Sequence, residues 1–180
     1  MKIRVKFIVY FVTLLLVSSW TYGQAPATQT DTLVSTSTDS TSIKKRDEHR
    51  IDKMLAFAKS LVGTPYRYSG MTPSGFDCSG FVNYVVGHFG FSIPRPSYLI
   101  AEQGETIKLS DVKPGDLLFF KGSDVRSTRV GHVAMVVSRS ETAINIIHSS
   151  NGKGVAVENI IKSKYYIPRF IKAKRMKYSY

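Results

Sequence analysis

Cysteine occurs once in the 180 residues, at Cys78, so the chain can form no internal disulfide. A fold stapled by cystine bridges is therefore excluded, and stability has to come from an apolar core. Histidine is scarce as well, with four in all (His49, His88, His132 and His148), and acids number 13 against 25 Lys and Arg. Two histidines and a distant cysteine with no carboxylate at ligand spacing fit zinc poorly, and no metal or other cofactor is expected. No internal repeat is visible. The longest apolar run, Phe7–Val17, has 11 residues, short of the roughly 20 that span a membrane.

What is present is a core's worth of apolar residues, 43% of the chain with 12% aromatic, enough for one globular domain. The net charge of +12 is unevenly placed, with seven of the Lys and Arg in residues 162–180 and no acid among them. That basic tail also holds Tyr165, Tyr166, Ile167, Phe170 and Ile171, the pattern of a terminal strand with charged flanks. It suits peripheral association with an anionic envelope surface, and no nucleic acid is expected, because an export signal precedes it. That signal is a basic Met1–Lys6, the apolar run, and a stretch that places Thr21 and Gly23 for cleavage before Gln24. Residues 1–23 are thus expected to be a signal peptide, with an uncleaved anchor as the alternative, and the product to reach the periplasm, envelope or exterior. No cysteine lies near the cleavage region, which argues against a Cys-anchored lipoprotein. Residues 24–46 are Ser/Thr-rich and are expected to be a flexible linker, since they bury too little to offset their ordering entropy. The folded domain is expected over 47–180, as a monomer.

Within it, Ile51, Met54, Leu55, Ala58, Leu61 and Val62 predict a helix over 47–62, ended by Gly63 and Pro65. A second helix is predicted over 76–89, with Phe81, Val82, Val85 and Phe89 as its buried stripe. Strand character follows at 116–120, 132–138, 143–149, 154–158 and 165–171. Helices first and strands afterwards predict an α+β domain, with helices packed on an antiparallel sheet of about five strands.

An unpaired thiol in an exported chain is either a small core residue or a reactive group. Cys78 stands at the predicted first turn of the second helix, where free N–H groups and the helix dipole favour the thiolate. A thiol nucleophile needs an imidazole base and a group to orient it. His49 lies at the edge of the linker, and His88 lies ten residues along the same helix, about 15 Å from Cys78. His132 and His148 remain. A hairpin register pairing Ser138 with Thr142 sets these two histidines directly opposite each other, on the face of Ala134, Val136, Ile144 and Ile146. A one-residue slip would break that arrangement, leaving two unrelated histidines at strand ends.

The run Gly63-Thr64-Pro65-Tyr66-Arg67-Tyr68, then Pro73-Ser74-Gly75-Phe76-Asp77-Cys78-Ser79-Gly80-Phe81, is similar to the nucleophile block of the NlpC/p60 family. Pro94-Arg95, Lys113-Pro114-Gly115-Asp116 with Leu117–Phe120, Gly131-His132-Val133 and Ile147-His148-Ser149 continue the likeness in order over about residues 50–175. The resemblance implies a papain-like cysteine peptidase acting on peptidoglycan stem peptides or cross-links, at a γ-D-glutamyl–diamino acid or related bond. It implies that Cys78 attacks, that His132 is the base, and that His148 orients it, with Asn151 as a nearby polar alternative. It places Tyr66 and the Cys78 N–H at the oxyanion. Asp77 and Ser79 are then either substrate-amine contacts or a helix cap and first-turn residue. The alternatives are a non-catalytic peptidoglycan-binding or scaffold protein on the same fold, and a papain-like amidase or acyltransferase.

Overall fold

Apolar residues at helical spacing decide which sides of the first two long helices turn inward. The computed structural model describes residues 37–178, which belong to one unit, Thr36–Tyr180. The expected signal peptide, and the linker up to residue 36, lie outside the described residues. Helix α1 runs Ser37–Ser60 and buries Met54, Leu55 and Ala58. It starts upstream of the expected Asp47, so the Ser/Thr-rich residues 37–46 are helical rather than a tether. Once the packed turns around Met54 are formed, each added residue contributes a hydrogen bond without a new nucleus.

A short hairpin follows, β1 (Met71–Thr72) with β2 (Gly75–Phe76), and leads directly into α2, Cys78–His88. Phe81, Val82, Val85 and also Val86 are buried on α2, each side chain contributing about 1.5–3 kcal/mol. After α3 (Ser97–Ile100) the chain builds β3 (Glu105–Ile107), β4 (Leu117–Lys121), β5 (Val130–Arg139), β6 (Ile144–Ser150), β7 (Gly154–Asn159) and β8 (Phe170–Arg175). These six strands form one antiparallel sheet in the order β3-β8-β4-β5-β6-β7.

Side chains alternate across this sheet and feed two cores. Leu117, Phe119, Val133, Met135 and Ile147 pack with α1 and α2. Leu118, Phe120, Ala134, Val136 and Ile146 pack with Val112, Ile160 and Tyr166 on the opposite face. Covering both faces explains why four consecutive residues of β4, Leu117–Phe120, are all buried.

The expected strand over 165–171 begins later. Pro168 lies in a 3-10 turn, Ile167–Arg169, and cannot donate to a ladder, so pairing starts at Phe170. Residues Phe170–Arg175 of the basic tail thus form an inner strand between β3 and β4. Arg175 bonds both oxygens of Asp116 at 2.8 and 3.0 Å, and Lys172 pairs with Glu102 at 2.8 Å.

Candidate active site

Cys78 is the first residue of α2, and Asp77 is its N-cap. The Asp77 carboxylate accepts from the Gly80 N–H at 2.7 Å, satisfying one of the unpaired donors of the first turn. Arg95 holds the same carboxylate from the other side, Nη1 to Oδ1 at 3.0 Å and Nη2 to Oδ2 at 2.7 Å. Its Nη1 also donates to Ser79 Oγ at 2.5 Å. Burial alone would raise the Asp77 carboxyl, but the Arg95 hydrogen bonds and charge, with those of Gly80 and Ser79, hold it below its usual range. Asp77 caps the helix and Ser79 stands in its first turn, bridged by the Arg95 of the Pro94-Arg95 motif, and both also line the depression beside Cys78.

Burial has the larger hand at Cys78. It raises the thiol, Asp77 adds to the rise, and backbone hydrogen bonds at Val133, Ser79 and Cys78 itself offset only part of it. The helix start does favour the thiolate, as expected, but desolvation outweighs it, so the resting sulfur is a thiol.

His132 stands near the start of β5 and His148 in the middle of β6. His132 Nε2 and His148 Nδ1 are 2.8 Å apart, a hydrogen bond between rings whose planes meet at 79°. They are not directly opposed. Met135 pairs with Ile147 and Val136 with Ile146, so the register is shifted by two from the expected one, with a bulge between Val136 and Ser138. The turn also closes later, through Ser140 N–H to Ala143 O at 2.8 Å. A shift of two keeps side chains on the same face, and diagonal neighbours are within reach of two imidazoles.

His148 is fully buried and its Nε2 lies 2.9 Å from Glu158 Oε2. Tyr166 donates its hydroxyl to that oxygen at 2.9 Å, and Lys153 bonds the other carboxylate oxygen. Sequence reasoning missed Glu158. Asn151-Gly152 between two strand-like runs is a hairpin signal. Extending that hairpin pairs His148 with Ala156 and Ile146 with Glu158, which puts Glu158 on the face of His148.

The two cores meet at the site. Cys78 borders the core under the helices, while the His132 and His148 rings contact Tyr166, and His132 also Phe120, in the other. Both Cys78 and His132 line a cavity of about 240 Å³ together with Tyr66, Ser149, Asn151 and Tyr165. A wider depression of about 610 Å³ lies alongside, walled by Tyr68, Asp77, Ser79, Arg95 and Ser97, and Tyr66, Cys78 and Gly131 line both. Tyr66 is held in place by a parallel bridge to Phe76. Burial, then the neighbouring Cys78 and Asp77, raise its phenol, so it remains a hydrogen-bond donor. Ser149 donates to the Phe76 carbonyl at 2.7 Å, tying the strand of His148 to the strand that leads into Cys78. Asn151 lies on the cleft wall, and the imidazole contact belongs to His148. His49 is exposed, and His88 stacks on Phe57 with centroids 3.9 Å apart, leaving both outside the cleft.

Burial pushes His132 down to about 3, with His148 adding to the effect. His148 is also lowered by burial, partly offset by Glu158. An unfolded imidazole titrates near 6.5, so between that pH and about 3 the unfolded chain binds more protons than the folded one. Stability contributed by neutral His132 is complete above 6.5 and is lost as pH falls below it. Unfolding free energy should drop by about 1–2 kcal/mol from pH 7 to pH 5, and H132Q should flatten that slope in urea titrations at each pH. The lowered carboxyls of Asp77 and Glu158 add their own losses only below about 4.5, in the range where unfolded carboxylates titrate.

Residues 63–175 match the model of the NlpC/P60 family. The chain is 36% identical over 124 residues to the gamma-DL-glutamyl hydrolase of Bacillus subtilis, covering 68% of this chain and 29% of that protein. It is 37% identical over 119 residues to a probable endopeptidase, NlpC, of Escherichia coli, covering 66% of this chain and 73% of the other. The chain thus spans under a third of the first relative and nearly three quarters of the second. Among solved structures, an NlpC/P60 family protein from Bacillus cereus superimposes with a TM-score of 0.61 at 30% identity, covering 69% of this chain and 39% of that one.

Proposed function

The chain belongs to the NlpC/P60 family, and from that membership we propose that it is a cysteine endopeptidase that hydrolyses peptidoglycan stem peptides or their cross-links. The observation that carries the reading is the His132–His148 hydrogen bond at the wall of the cleft that Cys78 also lines. His132 Nδ1 takes the proton of the Cys78 thiol as the sulfur adds to the amide carbonyl. Burial raises the thiol and lowers the imidazole, which supports a proton transfer that accompanies the attack. The Cys78 N–H and the Tyr66 hydroxyl donate to the developing oxyanion. His132 then returns the proton to the leaving amine, and a thioester on Cys78 remains. Water, deprotonated by the same imidazole, cleaves the thioester and releases the carboxylate product. His148 holds the His132 ring throughout.

Similarity to a gamma-DL-glutamyl hydrolase supports a γ-glutamyl bond as the point of cleavage. Residues 1–23 serve as the export signal, and the domain acts on the wall from the envelope side. The test is incubation with purified peptidoglycan and mass spectrometry of the soluble products. Stem peptides cut between D-glutamate and the diamino acid, or at a cross-link, are expected. Release of glycan fragments with intact stems, or no release, would sink the proposal.

A further inference from the structure

Among the described residues, Glu158 is the one acidic group bonded to the paired imidazoles, and it brings chemistry that neither histidine can supply alone. Its carboxylate meets three groups: His148 Nε2 at 2.9 Å, the Tyr166 hydroxyl at 2.9 Å, and Lys153. Burial favours the neutral acid there, but bonds from Lys153, Tyr166 and His148 outweigh it and keep the group ionised. An ionised carboxylate only accepts, so His148 has to carry its proton on Nε2. A neutral imidazole has a single N–H, which leaves His148 Nδ1 as an acceptor. The 2.8 Å contact then obliges His132 to donate from Nε2, and His132 Nδ1 is left bare.

Resting on the peptidase reading above, we infer that Glu158, held by Lys153 and Tyr166, is a positioning residue that sets the tautomers of both histidines and so presents an unprotonated His132 Nδ1 to Cys78. Without the carboxylate, the logic reverses. Tyr166 Oη is also 3.3 Å from His148 Nε2, and its hydroxyl would donate there instead. His148 would then carry its proton on Nδ1 and donate to His132 Nε2. The His132 proton would sit on Nδ1, where the base should be. A wrong tautomer of the catalytic imidazole is a severe defect in nucleophilic triads. Acting through one intervening ring, Glu158 should matter less than the base itself: its loss should lower activity by about 10–100-fold, the range for partners that orient a metal-ligating imidazole.

The test reads the tautomers directly, by long-range proton–nitrogen NMR of the histidine rings in the full chain near pH 7. Wild type should show both His132 and His148 protonated on Nε2. E158L should move both to Nδ1–H and lower kcat about 30-fold with KM nearly unchanged. E158Q keeps a carbonyl acceptor without the charge, so it should retain the wild-type tautomers and lose only a few-fold in kcat. A wild-type spectrum with His148 protonated on Nδ1 overturns the inference before any variant is made. So does an E158L protein that loses activity with its tautomers unchanged, since that outcome marks a packing role only. Because the spectrum needs no substrate, a wild type that cleaves no stem peptide refutes the proposed function and leaves the tautomer result readable on its own.

Discussion

Cys78→Ala should lower kcat on a defined stem peptide by at least about 10⁴-fold while shifting the unfolding midpoint by only about 2–4 °C. The first half follows from the chemistry left behind. Binding in the cleft, the Tyr66 hydroxyl and the Cys78-position N–H survive, and such groups alone retain a small residual acceleration. What disappears is the covalent route, and a 10⁴-fold loss corresponds to about 5.5 kcal/mol of transition-state stabilisation. Ser149, the serine adjacent to His148 on the cleft wall, is no substitute, because its hydroxyl is donated to the Phe76 carbonyl. The second half follows from size. Cys78 is half-buried at the margin of a core, so losing one sulfur atom removes about 1 kcal/mol of burial. Chromatography of the products and a thermal melt on the same preparation check both parts. Activity within tenfold of wild type would remove Cys78 from the mechanism.

Gly80→Ala should destabilise the protein by about 3 kcal/mol and abolish activity through the backbone around the nucleophile. Two effects oppose each other. In a helix interior alanine is favoured over glycine by about 1 kcal/mol. However, a Cβ at position 80 would lie 1.9 Å from the carbonyl oxygen of Gly70. That oxygen is fixed, because it accepts the Asp77 N–H at 3.1 Å just before the helix cap. Backbone cannot swing aside like a long side chain, so the loop before β1 has to move away from α2 and takes the cap with it. Overpacking wins over propensity. Gly87 on the same helix is the control: a Cβ there meets nothing within 4 Å, and Gly87→Ala should stabilise by about 0.5–1 kcal/mol. Urea unfolding of the two variants separates the effects. Similar stabilities for both would contradict the close packing of Gly70 on Gly80.

This glycine shows what a sequence gives up and what it withholds. The order Asp77-Cys78-Ser79-Gly80 marks a nucleophile at a helix start, but only the fold reveals that Gly80 is small because Gly70 crosses it. Strands β4 to β6 are legible as short runs of apolar, β-branched and aromatic residues between turn residues, and because both faces of the sheet are covered their buried residues run consecutively. The strand β3, Glu105–Ile107, is not, since two of its three residues are exposed and it lies at the sheet edge. Ser/Thr-rich composition hides the upstream extension of α1, and the late start of β8 follows from Pro168, which has no N–H to give a ladder. The register that sets His132 directly opposite His148 is not the one observed, but the face they share survives the shift of two. The turn alone displaces the register by three, and the bulge between Val136 and Ser138 brings it back to two, which restores the shared face and which no alternation pattern announces. Glu158 was within reach of the same reasoning, had the Asn151-Gly152 turn been extended one strand further. The balance at Cys78 was not, because the helix dipole is visible in sequence while the burial that outweighs it depends on tertiary packing.

The proposed mechanism requires a covalent bond between Cys78 and the acyl half of the substrate. Rapid acid quenching of wild-type protein with a synthetic γ-D-glutamyl–diamino acid stem peptide, followed by proteolysis and mass spectrometry, measures it directly. The fragment containing Cys78 should gain the mass of the acyl portion during turnover and lose it on treatment with hydroxylamine, as a thioester does. Cleavage of the peptide at full rate with no adduct on that fragment, and the same rate in Cys78→Ala, would contradict the account.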